Sequence, residues 1–482
     1  MSWSMQRNKL MCFLKYTLTG TVFLCTLLPM IKAQATFEVL TLEKFLSVVK
    51  QNHPVARQTN LFMDMASAGR VEAGGAFDPI FSLTSDQKTF DGKKYYTQNN
   101  ADLTIPTWYG VSLYGGVQNN LGTFLDAEKS PGLYTYAGVN VSVLKNLILD
   151  KRRASLQQAK LMQAQTRFEN ANTVNDLILQ ANLSYFNWLK DFLVLQLIEQ
   201  AVQINIDRFE FVKASFLQGD KAGIDTIEAK TQLLTFLQQR EEYFLAYNAS
   251  RLELETYLWT ENEAPLYLAS DVIPDTTTID MVLNEINESD KDDWVRARLD
   301  EHPKLAVYDL KLQNLEIERK LKFQNFLPKL DLKYDFMRKG DQFPIENIGA
   351  SFFEDNYKFG LSFSMPIFNR SAMGQYQATK AKIQITSLDN YYTRLQIENK
   401  IRFQLIEVEN VKNQVNIYAE ASELYRQLYE AESFKFSIGE SSLFLLNSRN
   451  NKFIEANQKW IELRAKLLAS KAKLWWSAAL PN

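Results

Sequence analysis

The sequence predicts an α+β membrane protein in which very long coiled-coil helices join short amphipathic strands, laid out as an internal tandem duplication. Three observations carry this reading. A set of landmarks occurs twice in the same order, the chain contains uninterrupted apolar heptads too long for a globular core, and period-two strand patterns stand beside them. The 482 residues are 46% apolar and 23% charged, enough for a large core and too apolar for a disordered chain. Lys and Arg number 54 against 56 Asp and Glu, a net charge of −2, so no basic field exists to recruit nucleic acid. The mean hydropathy of −0.26 excludes a multi-pass helical membrane protein.

The first segment, residues 1–35, has the pattern of a secretory signal peptide. Arg7, Lys9 and Lys15 give a positive start, Tyr16 to Ile31 is mostly apolar, and Ala33-Gln34-Ala35 offers a cleavage site. The mature chain is expected to begin at or near Gln34 or Thr36. Cys25 follows Leu24 rather than a small residue, which argues against acylation there. The only cysteines, Cys12 and Cys25, both lie in this leader, so export imposes no disulfide on the mature chain.

The rest of the chain reads as two structural repeats, 36–260 and 281–482, with a Pro- and Thr-containing linker at 261–280. The only two histidines each precede proline, in Asn52-His53-Pro54 and Glu301-His302-Pro303. The same spacing takes Pro79 to Pro328, Phe81 to Leu330 and Leu83 to Leu332. A shorter spacing takes Gly138 to Gly360 and Lys160 to Lys382, and one close to it takes Gly219 to Gly439. The first repeat therefore carries an extra stretch between Pro79 and Gly138.

Each repeat has the order helix, strands, very long helix, sharp turn, helix. Leu330, Leu332, Tyr334 and Phe336 alternate with Lys329, Asp331, Lys333 and Asp335, and Tyr357 to Met365 alternates likewise. Val139, Val141 and Val143 repeat the second run in the first half. Runs of about nine or ten residues suit a tilted membrane-spanning strand, although a soluble half-buried sheet alternates in the same way. Further strand-like runs at Asp102–Pro106 and Tyr109–Val117 are compatible with an added hairpin or a long loop. From Leu144 to Phe216 there is neither proline nor glycine. Ile178, Ala181, Tyr185, Trp188, Phe192 and Leu195 form a heptad seam, with a second through Leu179, Leu183, Phe186, Leu193 and Leu197. Ile401 to Leu428 does likewise in the second repeat. About 70 helical residues span roughly 100 Å, and two seams call for a neighbour on each side. Open strand edges are costly in lipid, and the four or so strands of one chain cannot enclose a passage, so closure needs several chains.

Taken together, the leader, the duplicated plan, the two His-Pro helix breaks, Phe326-Leu327-Pro328, Met365-Pro366-Ile367-Phe368-Asn369 and the turns Phe216-Leu217-Gln218-Gly219 and Phe436-Ser437-Ile438-Gly439 resemble the TolC-like outer-membrane efflux channel family. The resemblance implies a homotrimer with an α-barrel through the periplasm and a transmembrane β-barrel in outer-membrane lipid. It also implies a periplasmic adaptor and an inner-membrane pump as partners. Such a protein is a passive exit duct of a tripartite efflux or type I secretion system; the alternative is a secreted or periplasmic helical scaffold or adhesin. By the resemblance, the adaptor docks at a periplasmic tip that carries Gly219, Asp220, Gly439 and Glu440. Family members often close with acids shortly after the second tip glycine. Here those positions are Leu445 and Ser448, so Phe444, Leu445 and Ser448 form the candidate gate, closed by apolar contact, while Asp225 and Glu228 hold the matching places in the first repeat. No catalytic, cofactor-binding or metal-ligating set is expected: paired carboxylates, a phosphate loop and a nucleophile motif are all lacking. The two histidines are read as repeat-equivalent helix boundaries, and Trp475-Trp476 as packing for the last helix.

Overall fold

A computed structural model of the chain describes residues 39–125, 129–280, 291–344 and 356–480. The leader and its cleavage site lie outside the described residues. A two-residue strand β1 (Val39–Leu40) precedes α1 (Leu42–Asn52) and α2 (Pro54–Gly75). Four strands follow: β2 (Ile80–Phe90), β3 (Lys93–Pro106), β4 (Val111–Leu121) and β5 (Gly132–Ser142). Then come α3 (Lys151–Leu217), α4 (Gly223–Glu255) and the short β6 (Ile273–Pro274). The second half runs α5 (Lys291–Asp300), α6 (Pro303–Gln324), β7 (Lys329–Lys339), β8 (Tyr357–Ser364), α7 (Arg370–Ser437) and α8 (Leu443–Ser477). In both halves the helix after the His-Pro break has 22 residues, and the strand after it has 11.

Local chemistry explains the helix ends. The Nδ1 atoms of His53 and His302 accept hydrogen bonds from the backbone N–H of Val55 (3.2 Å) and Lys304 (3.1 Å), so each imidazole is itself the N-cap, with proline in the first turn. Asp150 caps α3 by accepting from the Arg153 N–H at 2.8 Å. The 67 residues of α3 and 68 of α7 make rods of roughly 100 Å.

The main core sits midway along these rods. Both predicted seams of α3 face inward, and Tyr185, Trp188 and Phe45 are fully covered. The Tyr185 hydroxyl donates to the Leu40 carbonyl at 2.7 Å and accepts from the Asp275 N–H at 3.2 Å, which ties α3 to the strap that begins and ends with β1 and β6. The segment at 261–280 is packed onto this belt: β6 pairs in parallel with β1, and Arg251 donates to the carbonyls of Leu268 and Ala269. Trp475 joins the cluster of Val295, Leu299 and Ile401, and Trp476 donates to Asp176, so both tryptophans pack the last helix as the sequence suggested.

The strands form one antiparallel sheet in the order β2-β3-β4-β5-β7-β8. Six strands replace the four or so expected from sequence. The difference is the hairpin β3–β4, which fills the extra stretch of the first half. Its polar residues interrupt the alternation, which is why only Asp102–Pro106 and Tyr109–Val117 stood out. Within one chain the sheet is open, with β2 and β8 as its edges.

Candidate functional site: a two-faced sheet and the helical tips

The sheet register sorts side chains into two faces. Ser82, Asp102, Gly116 and Tyr136 lie in one row across β2 to β5, and Ile80, Thr104, Tyr114, Gly138, Asp335 and Lys358 in another. Between these rows, pointing the other way, runs Phe81, Leu103, Gly115, Ala137, Phe336 and Tyr357. The apolar face is the exposed one: Phe81 is 70%, Leu83 72% and Phe363 64% accessible. The polar face is the covered one, with Asp335 at 5% and Asn120 at 1%. A sheet of a water-soluble protein has the opposite polarity, whereas a lipid-facing barrel wall has this one.

The covered face is held by hydrogen bonds. Tyr136 donates to Asn100 at 3.0 Å, Asn100 to Asp102 at 3.0 Å and Ser82 to Asp102 at 2.9 Å. Tyr114 donates to Asp335, with Lys333 3.7 Å from the same carboxyl group. Two reciprocal cross-strand pairs, Tyr114 with Gly138 and Tyr136 with Gly116, make room for these rings. A Cβ on Gly116 would lie 2.8 Å from the Tyr136 hydroxyl, and one on Gly138 2.7 Å from the Tyr114 ring. At the helix-proximal edge of the sheet, Trp108 in the β3–β4 turn stacks on Phe77 at 4.0 Å beside the exposed Tyr109, an aromatic pair suited to a headgroup layer.

The opposite end of the molecule carries the two helical turns. Gly219 (φ 85°) and Gly439 (φ 82°) adopt the left-handed conformation that ends a helix without Cβ strain. Gly219 N–H bonds to Phe216 O and Asp220 N–H to Ser215 O; Gly439 N–H bonds to Phe436 O and Glu440 N–H to Lys435 O, the same two-bond cap in both turns. The turns lie side by side. Phe436 is buried with Val212, Ala229, Leu443 and Leu446, and the Lys221 ammonium sits 4.5 Å from its ring centre. Gly219, Asp220, Gly439 and Glu440 are all exposed, beside a groove of ≈ 510 Å³ whose lining includes Phe216, Leu217, Ile227 and Lys230.

On α8, Phe444 (72%), Leu445 (38%) and Ser448 are exposed and point away from the chain's own core. Leu446, the next residue along α8, is 2% exposed and packs inside the chain instead. Asp225 accepts from the Ala222 N–H as a helix cap, and Glu228 accepts from Asn447 at 3.1 Å.

Sequence reasoning missed the polar knot above the turns. Arg208 on α3 is 8% exposed and donates to Asn205 (3.3 Å), to Asn447 on α8 (2.9 Å) and to Tyr429 on α7 (3.0 Å). Burial pushes its guanidinium pKa down, opposed by Tyr429. One signal was available: Arg208 is flanked at helical spacing by Ile204, Asn205, Phe211 and Val212, with no acid to pair it. Among the described residues no group of three or more His, Cys, Asp or Glu is placed to hold a metal ion, and no helix is long and apolar enough to cross a membrane.

The fold is one shared with solved outer-membrane channels, as the TolC-like resemblance implies. Among solved structures, the chain is similar to the Campylobacter jejuni outer membrane channel CmeC (TM-score 0.64, 14% identity, 91% of this chain and 85% of that one). It is similar to the Vibrio cholerae outer membrane protein VceC (TM-score 0.63, 11% identity, 91% and 95%) and to the open state of the Neisseria gonorrhoeae MtrE outer membrane channel (TM-score 0.66, 11% identity, 91% and 88%). No protein-family model matches the chain, and no curated protein matches it by sequence.

Proposed function

We propose that this chain is one protomer of a homotrimeric outer-membrane channel. It acts as the passive exit duct of a tripartite efflux or type I secretion system and passes small molecules or proteins to the exterior. The observation that carries the reading is the inverted sheet: exposed apolar face, covered hydrogen-bonded polar face, continuous with two rods of roughly 100 Å. A secreted scaffold has no use for an apolar sheet surface of this size.

The helices support assembly. Ile385, Leu388, Tyr392 and Leu395 form an exposed heptad stripe on α7 that none of the described residues covers. Lateral neighbours in a trimer cover it. In this reading the sheet sits in outer-membrane lipid, the rods cross the periplasm, and the turns at Gly219-Asp220 and Gly439-Glu440 meet a periplasmic adaptor, which couples the duct to an inner-membrane pump. Phe444, Leu445 and Ser448 then face the axis and narrow the resting pore by apolar contact. The chain carries no energy-converting chemistry in this scheme; the pump supplies the work. The test is fractionation followed by mass measurement in detergent and conductance in planar bilayers. A trimer that conducts from the outer-membrane fraction is expected; a soluble or monomeric non-conducting species overturns the proposal.

A further inference from the structure

Among the described residues, two surfaces of the chain are left uncovered, and each matches a surface that is covered elsewhere in the same chain. The strand β2 is exposed almost throughout, while its counterpart β7 lies between β5 and β8. The strand β8 is exposed likewise, while its counterpart β5 lies between β4 and β7. The helices repeat the pattern. α6 packs against both α3 and α7, whereas its counterpart α2 packs against α3 and leaves Leu61, Phe62, Met65 and Val71 exposed. α7 exposes the stripe through Leu388 and Tyr392. The two free surfaces are therefore the two halves of a junction that the chain already makes once, internally, through β5–β7 and α3–α6.

We infer that the contact between subunits copies this internal junction, closing three six-stranded sheets into an eighteen-stranded barrel in which β8 pairs antiparallel with the partner subunit's β2 and α7 packs on the partner subunit's α2. The inference rests on the trimeric channel reading and goes beyond it by fixing strand number and register.

The register follows from the repeat. β5 pairs with β7 so that Ser142 faces Asp331, Asn140 faces Lys333 and Gly138 faces Asp335. Ser142 corresponds to Ser364 and Gly138 to Gly360, while Asp331 corresponds to Ser82 and Asp335 to Asp86. The junction then sets Ser364 opposite the partner subunit's Ser82, Ser362 opposite the partner's Thr84 and Gly360 opposite the partner's Asp86. This register passes an independent check. At the helix-proximal end of the strands Phe363 falls opposite the partner's Leu83, apolar against apolar on the exposed face, while Ser364 and Ser362 meet the partner's Ser82 and the partner's Thr84 on the covered face. A shift by one residue would instead set Phe363 opposite the partner's Ser82 or the partner's Thr84. Strand direction agrees as well: with six strands per chain, the two edges run oppositely, so head-to-tail joining is antiparallel throughout and closes without a mismatch.

The consequence is width. With strands about 4.8 Å apart and tilted about 40°, eighteen strands enclose a backbone cylinder about 36 Å across, against about 24 Å for twelve. The outer end of the duct is then too wide to select cargo by size, and selection by size falls to the helical tips.

The mature chain holds no cysteine, since Cys12 and Cys25 lie in the leader, so engineered pairs give an unambiguous signal. The double variant Ser362→Cys/Thr84→Cys is expected to form disulfides only between chains under mild oxidation and to give covalent dimers and trimers on non-reducing gels. The frame-shifted pairs Ser362→Cys/Ser82→Cys and Ser362→Cys/Asp86→Cys place the thiols diagonally, beyond disulfide reach, and should cross-link several-fold more slowly. Faster cross-linking of a shifted pair overturns the register. Electron microscopy of the unmodified channel supplies a second reading: a barrel of any strand number other than eighteen overturns the closure. A trimer with either of these results leaves the channel reading standing, whereas failure to find any trimer removes both.

Discussion

Replacing Arg208 with methionine is expected to loosen the helical end of the duct. Arg208 is the point where α3 grips both helices of the second hairpin, through bonds of 2.9 Å to Asn447 on α8 and 3.0 Å to Tyr429 on α7. Methionine keeps the volume of the side chain's stem but donates no hydrogen bond, leaving the Asn447 and Asn205 carbonyl oxygens and the Tyr429 hydroxyl without their donor. Each orphaned buried group costs about 1–3 kcal/mol. Relief of the buried cation, whose pKa is already pushed down by desolvation, offsets part of this. The net loss is about 2–4 kcal/mol, concentrated at one level of the rods. Such a loss shifts a closed-to-open equilibrium by a factor of about 30 or more. Single-channel recording should therefore show a resting conductance well above that of the unmodified channel, and amide exchange should rise in α7 and α8 around Tyr429 and Asn447. Arg208→Lys retains the charge but not the forked geometry and should fall between the two. Unchanged conductance together with unchanged exchange for Arg208→Met would refute the idea that this knot holds the hairpins together.

Four further outcomes follow from the same geometry. Gly439→Val places a β-branched residue at φ 82°, a strain of about 1–2 kcal/mol with open space around it, so export and adaptor cross-linking should fall while trimer yield is kept; Gly439→Asn should retain both. His302 is held near pKa 4 by burial, opposed by the Ser477 backbone and reinforced by Lys304. Above pH 6.5 both folded and unfolded states are neutral, and as pH falls from 6.5 to 4 only the unfolded state takes the proton. Stability local to α6 should therefore be full above pH 6.5 and decline by about 3 kcal/mol by pH 4, read as faster amide exchange in the first turn of α6 and lost in His302→Asn, which keeps a cap. Gly138→Ala drives a methyl group against the Asp335 carboxylate and the Tyr114 ring and should sharply lower the yield of trimer, with partial recovery in Gly138→Ala/Tyr114→Ser. Finally, with Leu445 and Ser448 in place of acids, multivalent cations applied from the periplasmic side should block weakly. Tight block by micromolar trivalent cation would show that the gate residues are wrongly placed.

The sequence made legible whatever depends on periodicity and repetition. The period of two exposed β5, β7 and β8, and the heptads of α3 gave seams whose residues are buried in the fold. Duplicated glycines marked both turns, because a left-handed cap tolerates few other residues. Reading failed where structure depends on pairing between distant segments. Tyr114 and Gly138 are informative only once β4 lies beside β5, and nothing local marks the glycine as the bed of a ring. The hairpin β3–β4 escaped because Asn100 and Asn120 lie on the covered, hydrogen-bonded face while Asn99 and Asn119 put polar groups on the opposite face as well, so the simple alternation is lost. Arg208 was overlooked because a single cation inside a heptad reads as solvated, and its partners come from two other helices.

The contrast between the two ends bears on where such a duct can be regulated. At the sheet, each covered polar group is tied to neighbours on adjacent strands, and moving one strand breaks a row of backbone bonds as well. At the tips, α3 and α4 form one hairpin and α7 and α8 another, joined there by the cluster around Phe436 and by the Arg208 knot. Each hairpin keeps its own backbone hydrogen bonds when it moves, so displacement costs only side-chain contacts. A partner that grips the exposed apolar surface around Phe216, Leu217 and Ile227 needs to supply no more than that difference. In the proposed duct, opening therefore belongs to the helical end, and the binding energy of the adaptor drives it.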